Sequence, residues 1–128
     1  MSNLNLVRGL YESFAKGDLA GVLAQFDPTI VWLEAAGFPS VGGRHDGHQG
    51  VQAALTRVAE DWEDLKVIPR EYVGDGDIVV VLGETSGTFR KTGRSFKSPF
   101  AHTLRLRNGK VIEWQAYIDT ALATAATV

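Results

Sequence analysis

Apolar residues recur at two different periods along this chain, and the change of period divides it. In the first half they fall three and four positions apart. Leu6, Val7, Leu10, Tyr11 and Phe14 make one helical stripe, and Leu19, Val22, Leu23 and Phe26 make a second. Gly17 between them predicts a helix stop, and Asp18 predicts an N-cap. Asp27-Pro28 ends the second helix, because the residue before a proline is pushed out of the helical region. A strand is predicted over Thr29 to Ala35, which is rich in β-branched and aromatic residues. Residues 35–47 contain Gly37, Gly42, Gly43, Gly47 and Pro39 and predict a long irregular loop, a kind of segment that often carries function. A third helix is predicted from about His48 to Glu63, with Val51, Ala54, Leu55, Val58 and Trp62 as its stripe.

The second half reads as long strands. Leu65 to Val73 is broken by Pro69, which predicts an edge position or a bulge. Ile78 to Arg90 follows, then Ser95 to Arg107 and Lys110 to Thr120. Asn108-Gly109 predicts a two-residue hairpin turn. The tail from Ala121 to Val128 extends the last element or frays. Helices first and strands afterwards predict an α+β fold, with three N-terminal helices on one face of a mostly antiparallel sheet. No repeat, linker or second domain is evident, so residues 1–128 are expected to form one domain. Ile78-Val79-Val80-Val81-Leu82 lacks polar alternation, which suits a strand covered on both sides. A homodimer through the outer face of the sheet is the expected cover. The alternative is that the chain's own helices and loops hide this strand.

Composition narrows the function. The 128 residues suffice for a single core, and the net charge of -2 argues against nucleic acid as a partner. The absence of cysteine excludes disulfides, thiolate metal sites and cysteine nucleophiles. No apolar run approaches the roughly 20 residues of a membrane span, so no membrane partner is expected. Met1 to Asn5 lacks the pattern of a signal peptide, and the expected location is the cytoplasm. No nucleophile elbow, phosphate loop or dinucleotide fingerprint is present. His45-Asp46-Gly47-His48 offers three metal-type side chains, but no partner cluster accompanies them, and no metal is expected. Arg90, Lys91, Arg94 and Lys97 read as a solvated basic turn.

Pairing across the Asn108-Gly109 turn places His102 opposite Gln115, Phe100 opposite Tyr117 and Ser98 opposite Asp119. Alternation then puts His102, Glu113, Gln115, Tyr117 and Asp119 on one face, and Trp114, Ala116 and Ile118 on the other. The apolar set suits the helix side. That sends Asp119 outward unless a bulge near the strand end turns it. Trp32 and Glu34 share a face of the first strand.

Several motifs carry a family likeness. The pattern helix–Gly17-Asp18-Leu19–helix–Phe26, then Val31-Trp32-Leu33-Glu34, then Gly47 before a helix, resembles the nuclear transport factor 2-like superfamily. Gly76-Asp77-Ile78-Val79-Val80-Val81-Leu82-Gly83, Thr92-Gly93, Pro99-Phe100-Ala101-His102 and Gly109-Lys110-Val111-Ile112 leading to Tyr117-Ile118-Asp119-Thr120 resemble its SnoaL-like, ketosteroid isomerase-related branch. The resemblance implies a cone-shaped α+β barrel, a strongly curved sheet around the helices with a pocket at the open end. Superfamily members include isomerases, dehydratases, epoxide hydrolases, polyketide cyclases and non-catalytic binding domains, so the fold leaves the reaction open.

On this resemblance Asp119 is the expected acid–base group, since the family pattern often places an acid there. A carboxyl at an apolar mouth loses water and becomes a better proton shuttle at neutral pH. The plainer reading is that Asp119 caps a strand end or binds a backbone amide. His102 and Tyr117 are expected to orient or polarise the substrate, and Glu34 lies near the place where ketosteroid isomerase carries its base. Trp32, Phe100, Gln115, Phe38 and Trp62 are the expected ligand-binding residues, with Phe38 and Pro39 partly covering the mouth. Leu10 stands where that isomerase has a helical tyrosine, with Tyr11 adjacent, and Ala101 stands where it has an aspartate. True steroid isomerase activity is therefore not expected. The expected function is cofactor-free isomerisation, cyclisation, dehydration or hydrolysis of an apolar or polyketide-like small molecule. The alternative is a non-catalytic small-molecule-binding or dimerisation domain.

Overall fold

A computed structural model describes residues 2–128. Its elements are α1 (Asn3–Ala15), α2 (Leu19–Gln25), β1 (Phe26–Glu34), β2 (Gly43–Asp46), α3 (Gly47–Asp61), β3 (Trp62–Asp75), β4 (Ile78–Phe89), β5 (Ser95–Arg107), β6 (Lys110–Ile118) and α4 (Thr120–Ala126). The six strands form one sheet in the order β2-β1-β6-β5-β4-β3. All neighbours are antiparallel except β1 and β6, which run parallel. The fold is α+β as expected. The sheet is not closed into a barrel, because β2 and β3 remain as edges.

Local chemistry explains the helices. Ser2 caps α1 by accepting a hydrogen bond from the Asn5 amide, and Asp18 caps α2 by accepting one from Gly21. Gly17 between them has φ +71°, a left-handed value that suits glycine at a helix stop. Helix α1 buries Leu6, Val7, Leu10 and Tyr11, and α3 buries Val51, Ala54 and Val58. Removing one such side chain, as in Leu10→Ala, costs about 2–5 kcal/mol.

The long loop is shorter than its glycines suggest. Residues Gly43–Asp46 pair with β1 as β2, and the preceding turn is closed by the Phe38 amide donating to Ala35 O and Gly42 to Phe38 O. Helix α3 stops at Asp61, so Trp62 opens β3 instead of completing a helical stripe. Pro69 lies on an edge strand beside a register shift between Pro69 and Glu71, as a proline in a strand requires. The tail forms α4, capped by Asp119.

One inserted residue decides which side chains face inward. Asn108 and Gly109 both have positive φ, so β5 and β6 start in the register of a two-residue turn, with Arg107 beside Lys110 and Leu106 beside Val111. The next pair is Arg105 with Glu113. Ile112 is therefore an extra residue, a β-bulge, and every later pair is displaced by one. His102 stands beside Ala116 and Phe100 beside Ile118. This corrects the expected register. His102 shares its face with Trp114 and Ile118, while Gln115, Tyr117 and Asp119 leave that face.

The inner face carries Val79, Val81, Phe96, Phe100, Leu104, Trp114 and Ala116, all buried under the helices. Only alternate residues of the Ile78–Leu82 run are fully covered. Val79 and Val81 are buried, Ile78 and Val80 are half-buried, and Leu82 is 37% exposed on the outer face. Among the described residues no helix is long and apolar enough to cross a membrane.

Candidate functional site

A cavity of about 80 Å³ lies between the inner face of the sheet and the helices α1 and α3. Its walls are mostly apolar: Trp32, Phe38, Val58 and Trp114 among them. Three hydroxyl, imidazole and carboxyl groups interrupt them, those of Tyr11, His102 and Glu34, together with Thr85. The Thr85 hydroxyl is already committed to Lys66 O at 2.9 Å.

His102 is held from three sides. Phe100 stacks on its ring at 4.0 Å between centroids, and Trp114 lies at 4.5 Å. The Tyr11 hydroxyl is 2.5 Å from His102 Nδ1, and Trp114 Nε1 donates to the Tyr11 oxygen over a long 3.5 Å. These contacts set the direction of the chain. An indole N–H can only donate, so the Tyr11 oxygen accepts from it. The Tyr11 hydrogen then needs an acceptor, and Nδ1 is the one beside it. Nδ1 is therefore unprotonated, and the neutral ring carries its hydrogen on Nε2. Burial pushes the His102 pKa down to about 3, so the ring stays neutral at physiological pH. Burial likewise drives the Tyr11 phenol upward, and it stays protonated.

Glu34 ends β1, and its side chain reaches the same cavity. Desolvation raises its pKa to about 7, partly offset by the Ala35 amide, which donates to Oε1 at 3.1 Å. The cavity thus holds a carboxyl poised near neutrality and an imidazole that is a neutral hydrogen-bond donor.

Of the expected site residues, the structure brings together Glu34, His102, Trp32 and Phe38 around the cavity. Phe100 supports the His102 ring. Trp62 is buried one layer behind, stacked on Phe38 at 5.7 Å, and its Nε1 has no hydrogen-bond partner among the described residues. Tyr117 is 56% exposed on the outer face, and Gln115 donates to Leu33 O and Ala116 O. Asp119 is exposed and accepts from the amides of Ala121 and Leu122, capping α4. The structure therefore does not bring Asp119, Tyr117 or Gln115 to the cavity. The Ile112 bulge is the physical reason for Tyr117 and Gln115, and the start of α4 is the reason for Asp119.

Tyr11 and Trp114 line the cavity, although periodicity assigns them to the core. Both have a polar atom that needs a partner when buried, which is the available signal. The side chains of the 45–48 segment are engaged elsewhere. His45 Nε2 meets Val41 O at 2.7 Å, His48 Nε2 meets Phe26 O at 2.9 Å, and Asp46 pairs with Arg44.

This fold is that of the nuclear transport factor 2-like class, and solved structures agree. A nuclear transport factor 2-like protein from Burkholderia thailandensis superposes with a TM-score of 0.96 at 29% identity, over 100% of this chain and 98% of its own. A second, of unknown function, from Burkholderia pseudomallei gives 0.92 at 34% identity, over 98% of both chains. TerC, co-crystallised with polyporic acid, gives 0.89 at 27% identity, over 97% of this chain and 96% of its own. Within that class the chain belongs to the SnoaL-like family, whose SnoaL-like domain model matches residues 7–114. No protein of curated function matches it.

Proposed function

We propose that this single domain is a cofactor-free acid–base catalyst that moves a proton next to the carbonyl group of a small apolar molecule. Glu34 takes the proton from the carbon beside the carbonyl. His102 Nε2–H donates a hydrogen bond to the oxygen, where negative charge builds as the enolate forms. Glu34 then returns the proton to a different carbon or to a leaving group. The observation that carries this reading is one apolar cavity holding two groups whose pKa values are pushed in opposite directions, Glu34 up to about 7 and His102 down to about 3. Divergent pKa values in one site mark acid–base roles. A neutral imidazole polarises a carbonyl oxygen without losing its own proton, and Tyr11, by occupying Nδ1, keeps the donating hydrogen on Nε2. The co-crystal of TerC with polyporic acid supports a small organic ligand in this family.

Deuterium exchange tests the proposal. Short 2-alkanones incubated with the protein in heavy water should exchange their α-hydrogens faster than in buffer, and Glu34→Gln should abolish the excess while ketone binding persists. No exchange with any enolisable ketone would favour the rival, a binding domain with the same pocket.

The same reading includes a homodimer through the outer face of the sheet. Leu82, Ala101 and Tyr117 stand side by side there, next to the row Val80, Thr103, Gln115 and Leu33. Tyr117 and Leu82 are large, apolar and exposed, which favours a partner. Light scattering of the wild type should give twice the chain mass, and Tyr117→Lys should give the monomer. A monomeric wild type at micromolar concentration would remove the dimer and leave the chemistry standing.

A further inference from the structure

The enclosed volume is too small for a molecule of more than a few heavy atoms, so a larger ligand must leave the cavity somewhere. Two surface hollows adjoin it. One, of about 250 Å³, is lined by Phe14, Ala15, Leu65, Lys66, Val67 and Ile68. The other, of about 300 Å³, runs between α1, α2 and α3 past Phe14, Leu55 and Ala59. Phe14 belongs to the cavity and to both hollows. It stands where the three meet.

The hollow along β3 is the more continuous with the cavity. Three of its six walls, Phe14, Leu65 and Val67, also line the cavity. Its walls expose apolar surface, with Leu65 at 38% and Ala15 of α1 exposed beside it. The chain builds this wall deliberately. Asp64 has φ +52°, and the register of β3 against β4 slips by one between Glu63 and Lys66, a bulge that re-aims Leu65. The opposite residue on β4 is small: a Cβ on Gly87 would lie 2.8 Å from Leu65 Cδ1, so any larger residue there would push that side chain from its present position.

We infer that Phe14 is the gate of this cavity and that the hollow formed by Ala15, Leu65 and Val67 holds the apolar tail of an elongated ligand whose polar head lies at Glu34 and His102. The inference rests on the cavity being the binding site, as proposed above, and adds the entrance and the shape of the ligand. It also moves the mouth away from Phe38 and Pro39, to the junction of α1 with β3.

The test uses a series of 2-alkanones from 2-butanone to 2-undecanone, with binding read from the fluorescence of Trp32 and Trp114, which line the cavity. Affinity should rise by about fourfold for each methylene that reaches the hollow. Ala15→Asp places a charge at the exposed edge of the hollow and should flatten that rise for the long ketones while leaving 2-butanone unchanged. Ala59→Asp, in the other hollow, should alter neither. Phe14→Ala should speed both association and dissociation of 2-undecanone in stopped-flow traces. A slope that Ala15→Asp leaves intact, or one that Ala59→Asp flattens instead, overturns the entrance. Binding of no ketone of any length overturns the reading of the cavity itself together with the entrance.

Discussion

The hydroxyl of Tyr11 and the Nδ1 of His102 meet 2.5 Å apart across 91 residues of chain, joining the first helix to the fifth strand inside the core. The contact fixes the imidazole tautomer, which neither residue could do alone. Tyr11→Phe leaves a buried ring nitrogen without a partner and should cost about 1–3 kcal/mol in urea unfolding. It also releases the tautomer. Turnover of an enolisable ketone should fall by up to about 10²-fold, the range for a weakened oxyanion donor. Nitrogen NMR should show the His102 proton on Nε2 in the wild type and shared between both nitrogens in the variant. A wild-type ring protonated on Nδ1 would contradict the donor role.

As the proposed base, Glu34 would act only as its carboxylate. With its pKa raised to about 7, the rate of α-hydrogen exchange should climb as pH rises through about 7 and level off above it. Glu34→Asp shortens the side chain and should lower the rate, while Glu34→Gln should remove roughly 10²–10⁴-fold. A rate independent of pH between 5 and 9 would exclude Glu34 as the base.

The same two groups leave opposite marks on stability. A folded pKa of about 3 for His102, against 6.5 unfolded, means that the unfolded chain binds the extra proton between those values. Stability from His102 is therefore complete above pH 6.5 and is lost as pH falls towards 3. Glu34 has the reverse sign. Its folded pKa of about 7, against 4.5 unfolded, gives stability that is complete below 4.5 and is lost as pH rises through about 7. The two slopes cancel between about pH 4.5 and 6.5, and only the His102 slope remains below 4.5. Glu34→Gln should uncover that slope, so that its melting temperature rises with pH from 3 to 6.5 where the wild type is flat over the upper part. Parallel curves for the two proteins would refute the linkage.

Asp119 offers a control. Its carboxylate caps α4 through Ala121 and Leu122, and its own amide donates to Ser98 Oγ at 3.0 Å. Asp119→Ala should cost about 1 kcal/mol of stability, as the loss of an N-cap does, with ketone exchange unchanged. A loss of exchange larger than the loss of folded protein would return Asp119 to the site.

Much of this protein is legible along the chain. The stripes of α1 and α3, the Gly17-Asp18 break, the edge position of the Pro69 strand and the Asn108-Gly109 turn depend on local propensity and periodicity, which each segment carries by itself. So does the presence of Glu34, Trp32 and His102 as candidates, since a carboxylate, an indole and an imidazole among apolar neighbours stand out in any reading. The tertiary structure decided which of them meet. A single added residue, Ile112, sits in β6 with no sequence mark of its own, because a bulge is a compromise between two strands and belongs to neither. It turned His102 towards Trp114 and Tyr11 and turned Tyr117 and Gln115 away. Tyr11 joined the cavity's polar group for the same reason: its partner lies on a strand 91 residues further on. Periodicity records which face a residue takes within its own element. It contains nothing about the register in which distant elements dock, and that register made the site.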